Sequence, residues 1–160
     1  MTFTHLDAAG HARMVDVTAK EPTVRSATAR GFVRCARATA DALRDGAVPK
    51  GDVLAVARIA GIQGAKRCAE LLPLAHVIGV HGARVDLAVE AEGVAIEAEV
   101  RTADRTGVEM EALTAVTVAA LAVVDMIKGI DRSAAIESAR IVAKSGGRSG
   151  DWIRDGEAPA

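Results

Sequence analysis

A chain of 160 residues, half of them hydrophobic, carries enough apolar material for one well-buried domain. Only 2% of the residues are aromatic and tyrosine is absent, so the core must be built from Ala, Val, Leu and Ile. The formal net charge of -1 and the scarcity of stacking side chains argue against nucleic acid as a partner, and any anion site must come from local clustering of Lys and Arg.

The first dozen residues show no periodicity, and Arg13–Thr18 reads as a short strand. TVRSATARGFVRCARATADALRDG, residues 23–46, reads as a helix. Val24, Ala27, Ala29, Phe32, Ala36 and Leu43 form a rough apolar stripe, and Gly46 suits the position after its end. A second helix follows in VPKGDVLAVARIAGIQGAKRCAELLP, with Asp52 as N-cap and Pro73 beyond its end. Gly61 and Gly64 inside it each cost about 1 kcal/mol against alanine, which implies close packing against a neighbour. ARVDLAVEAEGVAIEAEVRTA then alternates apolar with charged residues about an AEG turn, the pattern of an antiparallel hairpin with one wet face. The third helix spans GVEMEALTAVTVAALAVVDMIKGI, with Thr106 and Glu109 spaced as a capping box. AIESARIVAK reads as a last strand. Residues 1–160 form a single domain without repeat or linker, and 1–12 and 145–160 are expected to be flexible segments. Two strands in succession between helices indicate an α+β fold, an antiparallel sheet with helices on one face.

The two cysteines, Cys35 and Cys68, have no metal-ligand or CxxC spacing and read as buried thiols in a reducing compartment. The N-terminal residues lack a basic stretch leading into an apolar one. The longest uncharged run, Ala112–Val124, falls well short of the roughly 20 residues that cross a bilayer. A cytoplasmic protein with no membrane partner and no metal site is expected.

Several residues could carry chemistry. Thr114, Val118, Leu121, Asp125 and Lys128 share one helical stripe that turns ionic in its final turn. A surface ion pair accounts for Lys128, which suits a helix C-terminus, but less well for Asp125. Lys50 in PKGD precedes the positive end of the second helix, so it is either solvated or shares an anion with that terminus. AGIQGAKR holds Lys66 but matches neither GxxxxGK[ST] nor GxGxxG. In AKSGGRSGD, Lys144 and Arg148 flank glycine turns that can offer backbone N–H groups to phosphate; a mobile tail is the competing reading. His76 in LLPLAHVIGV is either structural or catalytic, and Glu109 and Glu111 flank Met110 at a helix start. With Arg25, this inventory suits an anionic, phosphate-bearing substrate and proton transfer.

In order along the chain, THLDAAGHARMVDVTAK, KGDVLAVARIAGIQGAKR, LLPLAH, TGVEMEALTAVTVAAL, DMIKGID and AKSGGRSGD resemble the motifs of the MoaC family, enzymes of molybdenum-cofactor biosynthesis. The resemblance covers about residues 4–152. It implies a ferredoxin-like fold in a homohexamer, a trimer of dimers with active sites at the dimer interfaces. It also implies conversion of a cyclised dihydro-GTP to cyclic pyranopterin monophosphate with release of diphosphate, without cofactor. On matching motifs, it places catalytic roles on Asp125, Lys128 and Lys50. Substrate contacts fall on Leu74, Ala75, His76, Met110 and Glu111, with Glu109, Lys66, Arg25, Lys144 and Arg148 around them. Ala75 and Val77 stand where the family usually has Cys and Pro, which removes any thiol role there. Two rival readings are a non-catalytic nucleotide-binding regulatory module on a ferredoxin-like scaffold and a purely structural oligomer.

Overall fold

The computed structural model describes residues 6–7 and 9–157. The elements run β1 (Thr23–Arg34), α1 (Arg37–Arg44), α2 (Val53–Lys66), α3 (Cys68–Leu71), β2 (Gly82–Glu90), β3 (Gly93–Asp104), α4 (Glu109–Ile127), β4 (Ala135–Ser145) and β5 (Trp152–Ile153). The strands form one antiparallel sheet in the order β2-β3-β1-β4-β5. Without the short β5 this is the β-α-β-β-α-β arrangement of a ferredoxin-like α+β fold, with its helices on one face.

The first half of the expected helix at 23–46 is instead the central strand. Ala27, Ala29 and Val33 point to the buried side, and Gly31 leaves room there for Val116 of α4. Arg30 and Phe32 point the other way. The alanines favour a helix by only tenths of a kcal/mol per residue, whereas β1 is hydrogen-bonded to β3 along its whole length and to β4 along most of it. Only Arg37–Arg44 remains helical, and it closes as expected at Gly46, whose φ is 66°. The Ala47 N–H returns to the Ala42 carbonyl and the Gly46 N–H to that of Leu43, which satisfies the last turn.

Asp52 caps α2, accepting from the Ala55 N–H at 2.9 Å. Gly61 and Gly64 lie where α2 crosses α4. A Cβ on Gly61 would meet the Ala115 carbonyl at 2.9 Å, and one on Gly64 would meet Val118 Cβ at the same distance. The glycines therefore set how closely the two helices approach. The hairpin of β2 and β3 lies where the alternation placed it, joining β1 through β3.

The capping box at Thr106 does not form. The N-cap of α4 is Val108, with no side-chain cap. Arg13–Thr18 is not a strand: it runs without regular structure into a turn at Thr18 and pairs with no strand among the described residues, although Val15 and Val17 are half-buried. The expected flexible stretches, 1–12 and 145–160, fall partly outside the described residues. Within them Leu6 bridges Ala12, and β5 pairs with the end of β4.

α4 is the core helix. Its apolar window, with mean hydropathy 1.8, has the length and composition of a membrane span, yet Ala112, Ala115, Val116, Ala119, Ala120, Val123 and Ile127 are all buried inside the domain. The Thr114–Lys128 stripe is a different face: α2 half-covers it at Thr114 and Val118, and it opens to solvent at Leu121 and Asp125. The opposite face of the sheet is charged, with Arg30 paired to Glu97 and Glu157, and Arg140 to Glu157.

Candidate active site

The proposed residues gather at the two ends of α4. At its N-terminal end a cleft of about 470 Å³ opens beside Glu109, Met110 and Glu111, facing the Leu74–Ala75–His76 segment that leads toward β2. This volume fits a small molecule. His76 Nε2 lies 2.6 Å from the Val15 carbonyl. A carbonyl only accepts, so Nε2 carries the hydrogen of this bond.

Glu111 is 4% exposed. Burial pushes its carboxyl above the ordinary range and neighbouring Glu109 adds to this, while its own backbone N–H, the Cys68 thiol and His76 oppose it. Glu109 folds back over Gly107, where any Cβ would overlap its carboxylate. The absent side chain thus lets Glu109 reach toward Lys144, whose Nζ is 3.7 Å away.

Lys144, next to the last residue of β4, donates to the Ser149 hydroxyl in the following glycine turn. Arg25, near the start of β1, lies at the same end of the sheet. It donates to the Asp104 and Arg105 carbonyls at 3.2 and 3.3 Å, and its guanidinium fills the space that a side chain on Gly147 would need. Arg148 is exposed on that turn, and Lys66 ends α2 at the same end of the helix pair. Of these four cations Lys144 alone approaches a cleft residue, Glu109, and none of the four lines the cleft itself.

At the other end, Asp125 sits between two lysines. Lys128 Nζ is 2.6 Å from Oδ1, and Lys50 Nζ is 3.3 Å from Oδ2. Lys50 turns away from the helix it precedes. It donates at 2.8 Å to the Asp125 carbonyl in the last turn of α4, where the helix dipole favours a cation. Lys128, then Lys50, hold the Asp125 carboxyl below its usual range by hydrogen bonding, so it is ionised at neutral pH. From Glu111 to Asp125 the helix rises about 21 Å at 1.5 Å per residue. One chain therefore does not bring the two groups around one small molecule.

The MoaC family model matches residues 14–147. A protein of Streptomyces coelicolor is 58% identical over 152 residues, covering 95% of this chain and 89% of its own. One from Roseiflexus is 57% identical over 155 residues, 96% and 98% of the two chains. One from Chloroflexus aurantiacus is 55% identical over 154 residues, 95% and 94%. Each bears the name cyclic pyranopterin monophosphate synthase. The chain belongs to the MoaC family.

Sequence reasoning missed part of this cleft. Val15, Val17, Lys20, Thr106 and Gly107 also line the cleft. The alternation at Val15 and Val17 is genuine, but it serves the cleft wall and not a strand. Asp131, just past Lys128, is 7% exposed. Its Oδ2 accepts from the Ala36 N–H at 2.7 Å and the Thr39 hydroxyl at 3.2 Å, while Oδ1 accepts from the Ser133 N–H and hydroxyl at 2.9 and 2.6 Å. These bonds, the Ser133 hydroxyl foremost and the Ala36 N–H next, hold its carboxyl down to about 2. Asp131 thereby pins the turn after Lys128 to the start of α1. The Asp-x-Ser spacing was the available signal.

Proposed function

We propose that this chain is a cyclic pyranopterin monophosphate synthase, a lyase that converts a cyclised dihydro-GTP to cyclic pyranopterin monophosphate and diphosphate in molybdenum-cofactor biosynthesis. Its identity to proteins of that name along nearly the whole chain carries the reading. His76, Met110 and Glu111 hold the ring in the cleft, against the Leu74–Ala75 backbone. Arg25, Lys66, Lys144 and Arg148 hold phosphate charge and stabilise the departing diphosphate, with Glu109 aligning Lys144. Asp125, Lys50 and Lys128 move protons at the ring. The reaction needs no cofactor beyond these side chains.

The separation along α4 supports a site completed by a second copy of the chain, one protomer giving the cleft and its partner the Asp125 end. Between the two ends, the exposed Val56 and Ile59 of α2 and Leu121 of α4 offer an apolar surface for that contact. The assembly is a homohexamer, a trimer of dimers with the sites at dimer interfaces, working in the cytoplasm.

Incubation with the cyclised dihydro-GTP, followed by mass spectrometry, tests the reading. Product and diphosphate are expected from the native protein and at least about a hundredfold more slowly from Asp125→Ala or Lys128→Ala. Binding with the substrate returned unchanged would identify a nucleotide-binding module instead.

A further inference from the structure

α1 begins without a cap of its own. Ala36 stands at its N-cap with no side chain that could accept, and the first turn holds no acidic residue. The acceptor comes instead from beyond the far end of α4. Asp131 Oδ2 takes the Ala36 N–H at 2.7 Å and the Thr39 hydroxyl at 3.2 Å. A carboxylate also suits the positive end of the helix. Oδ1 is engaged by the Ser133 N–H and hydroxyl, so both oxygens are held. The chain reaches Asp131 from α4 in one tight turn: the Ile130 and Asp131 N–H groups both return to the Ile127 carbonyl at 2.9 Å. Ile127 and Asp131 are buried, while Lys128, Gly129 and Ile130 between them are exposed. The turn that carries Lys128 is therefore fastened to the protein at its two ends. On the other side of the clamp, α1 leads through the buried Leu43 and Val48 to Lys50, which reaches the Asp125 carbonyl and carboxylate. One buried carboxylate thus ties together the two segments that bring ammonium groups to Asp125.

We propose that Asp131 is a positioning residue for the reactive half of the site: by clamping the start of α1 to the turn after α4, it sets Lys50 and Lys128 on either side of Asp125. Its effect on turnover rests on the synthase reading, whereas the clamp itself is a property of the unliganded protein. Asp131 is buried with both oxygens engaged, so its influence passes through the two lysines. An amide of the same shape cannot serve both sets of donors. Its oxygen still accepts on one side, but its NH2 faces donors on the other and releases either the Ser133 turn or the start of α1.

The test is Asp131→Asn in the full chain, read in two ways at a temperature where the variant is folded. The first is the titration of the Asp125 carboxyl by carbon-13 NMR, assigned with Asp125→Asn. The second is the split between kcat and KM for product formation. Lys128 and Lys50 hold the Asp125 carboxyl down, so displacing them moves its midpoint to higher pH. Loss of the Asp131 charge acting through space would move it lower, and the direction separates a lost position from a lost charge. Misplaced lysines should lower kcat between about tenfold and a hundredfold with KM little changed. A midpoint that stays or falls, or an unchanged kcat, overturns the proposal. If Asp131→Asn does not fold, Thr39→Val takes its place, with a smaller upward shift expected and no shift overturning it. Should the native protein form no product, the synthase reading fails, and the titration alone decides whether Asp131 sets the two lysines.

Discussion

The two ends of α4 use acids in opposite ways. At the N-terminal end Glu111 is buried and pushed toward its protonated form. At the C-terminal end Asp125, with 57% of its side chain exposed, is held ionised between Lys128 and Lys50. A buried carboxyl is suited to holding a ligand at a fixed angle. An exposed carboxylate flanked by ammonium groups is suited to exchanging protons, and it forfeits little stability in doing so. The core stripe between them is alanine and valine that fixes their spacing. On the proposed reading, the site is divided by environment as well as by distance, with a preformed binding half and an open reactive half.

The largest effect should come from breaking the reactive half. Asp125→Ala is expected to lower kcat by about 10²–10⁴, the range for a lost acid–base group. Its melting temperature should stay within about 2 °C of native, because an exposed ion pair contributes little. Mixing Asp125→Ala with Glu111→Gln sharpens the comparison. If each site takes one half from each of two copies, subunit exchange regenerates one intact site in every mixed dimer. Random pairing then gives about a quarter of native activity from two inactive proteins. Mixing without recovery, after exchange is verified, would show that both halves act within one chain.

The next effect is on stability and lies beneath the reactive half. Asp131→Ala leaves the Ala36 N–H and the Thr39 and Ser133 hydroxyls without their acceptor. The Asp131 carboxyl is lowered to about 2 from an ordinary 3.8, so its contribution is complete above the unfolded value and is lost as pH falls from about 5 toward 2. That linkage is worth about 2 kcal/mol, or roughly 4–8 °C in a domain of this size. Melting curves from pH 7 to pH 3 should show the gap between native and variant closing with acid. A gap independent of pH would assign the loss to packing.

Between the two ends, Gly61→Ala tests the spacer. Alanine gains about 1 kcal/mol of helix propensity, but its Cβ would press on the Ala115 carbonyl at 2.9 Å and on Ala119 and Val85 at 3.1 and 3.2 Å. Overpacking costs about 1–3 kcal/mol, so a net loss of roughly 1 kcal/mol is expected in chemical denaturation. A stabilised variant would show that the helices have room to separate.

The sequence made some of this legible and hid the rest for physical reasons. Asp52, Gly46, the hairpin and the two interhelical glycines announce local chemistry and appear where that chemistry put them. β1 was hidden because its identity depends on two partner strands, and TVRSATARGFVR alone carries enough alanine to pass for a helix. Thr106 and Glu109 had the spacing of a capping box, but Glu109 folds over Gly107 and faces Lys144 instead. Periodicity put Asp125 and Lys128 on one stripe. The motif resemblance, rather than spacing, joined them to Glu111 and His76. Asp131 lies behind the residues it holds, a relation that only the folded chain displays.

The smallest predicted effect runs against intuition and tests the binding half. Glu111 has a raised folded-state value, so its charge opposes folding. The sign follows from linkage: the folded state binds this proton more tightly, and stability from that source is complete below the ordinary glutamate range and lost as pH rises through the raised folded value. Glu111→Gln removes the charge and keeps the shape. It should therefore melt higher than native at pH 8 and match it near pH 4, while losing ring binding. Such a gain in stability with loss of function is the mark of a group kept for its chemistry. A variant that melts lower at pH 8 would mean that the hydrogen bonds to the carboxylate outweigh its burial, and that this end of α4 is anchored by Glu111 as the other end is by Asp131.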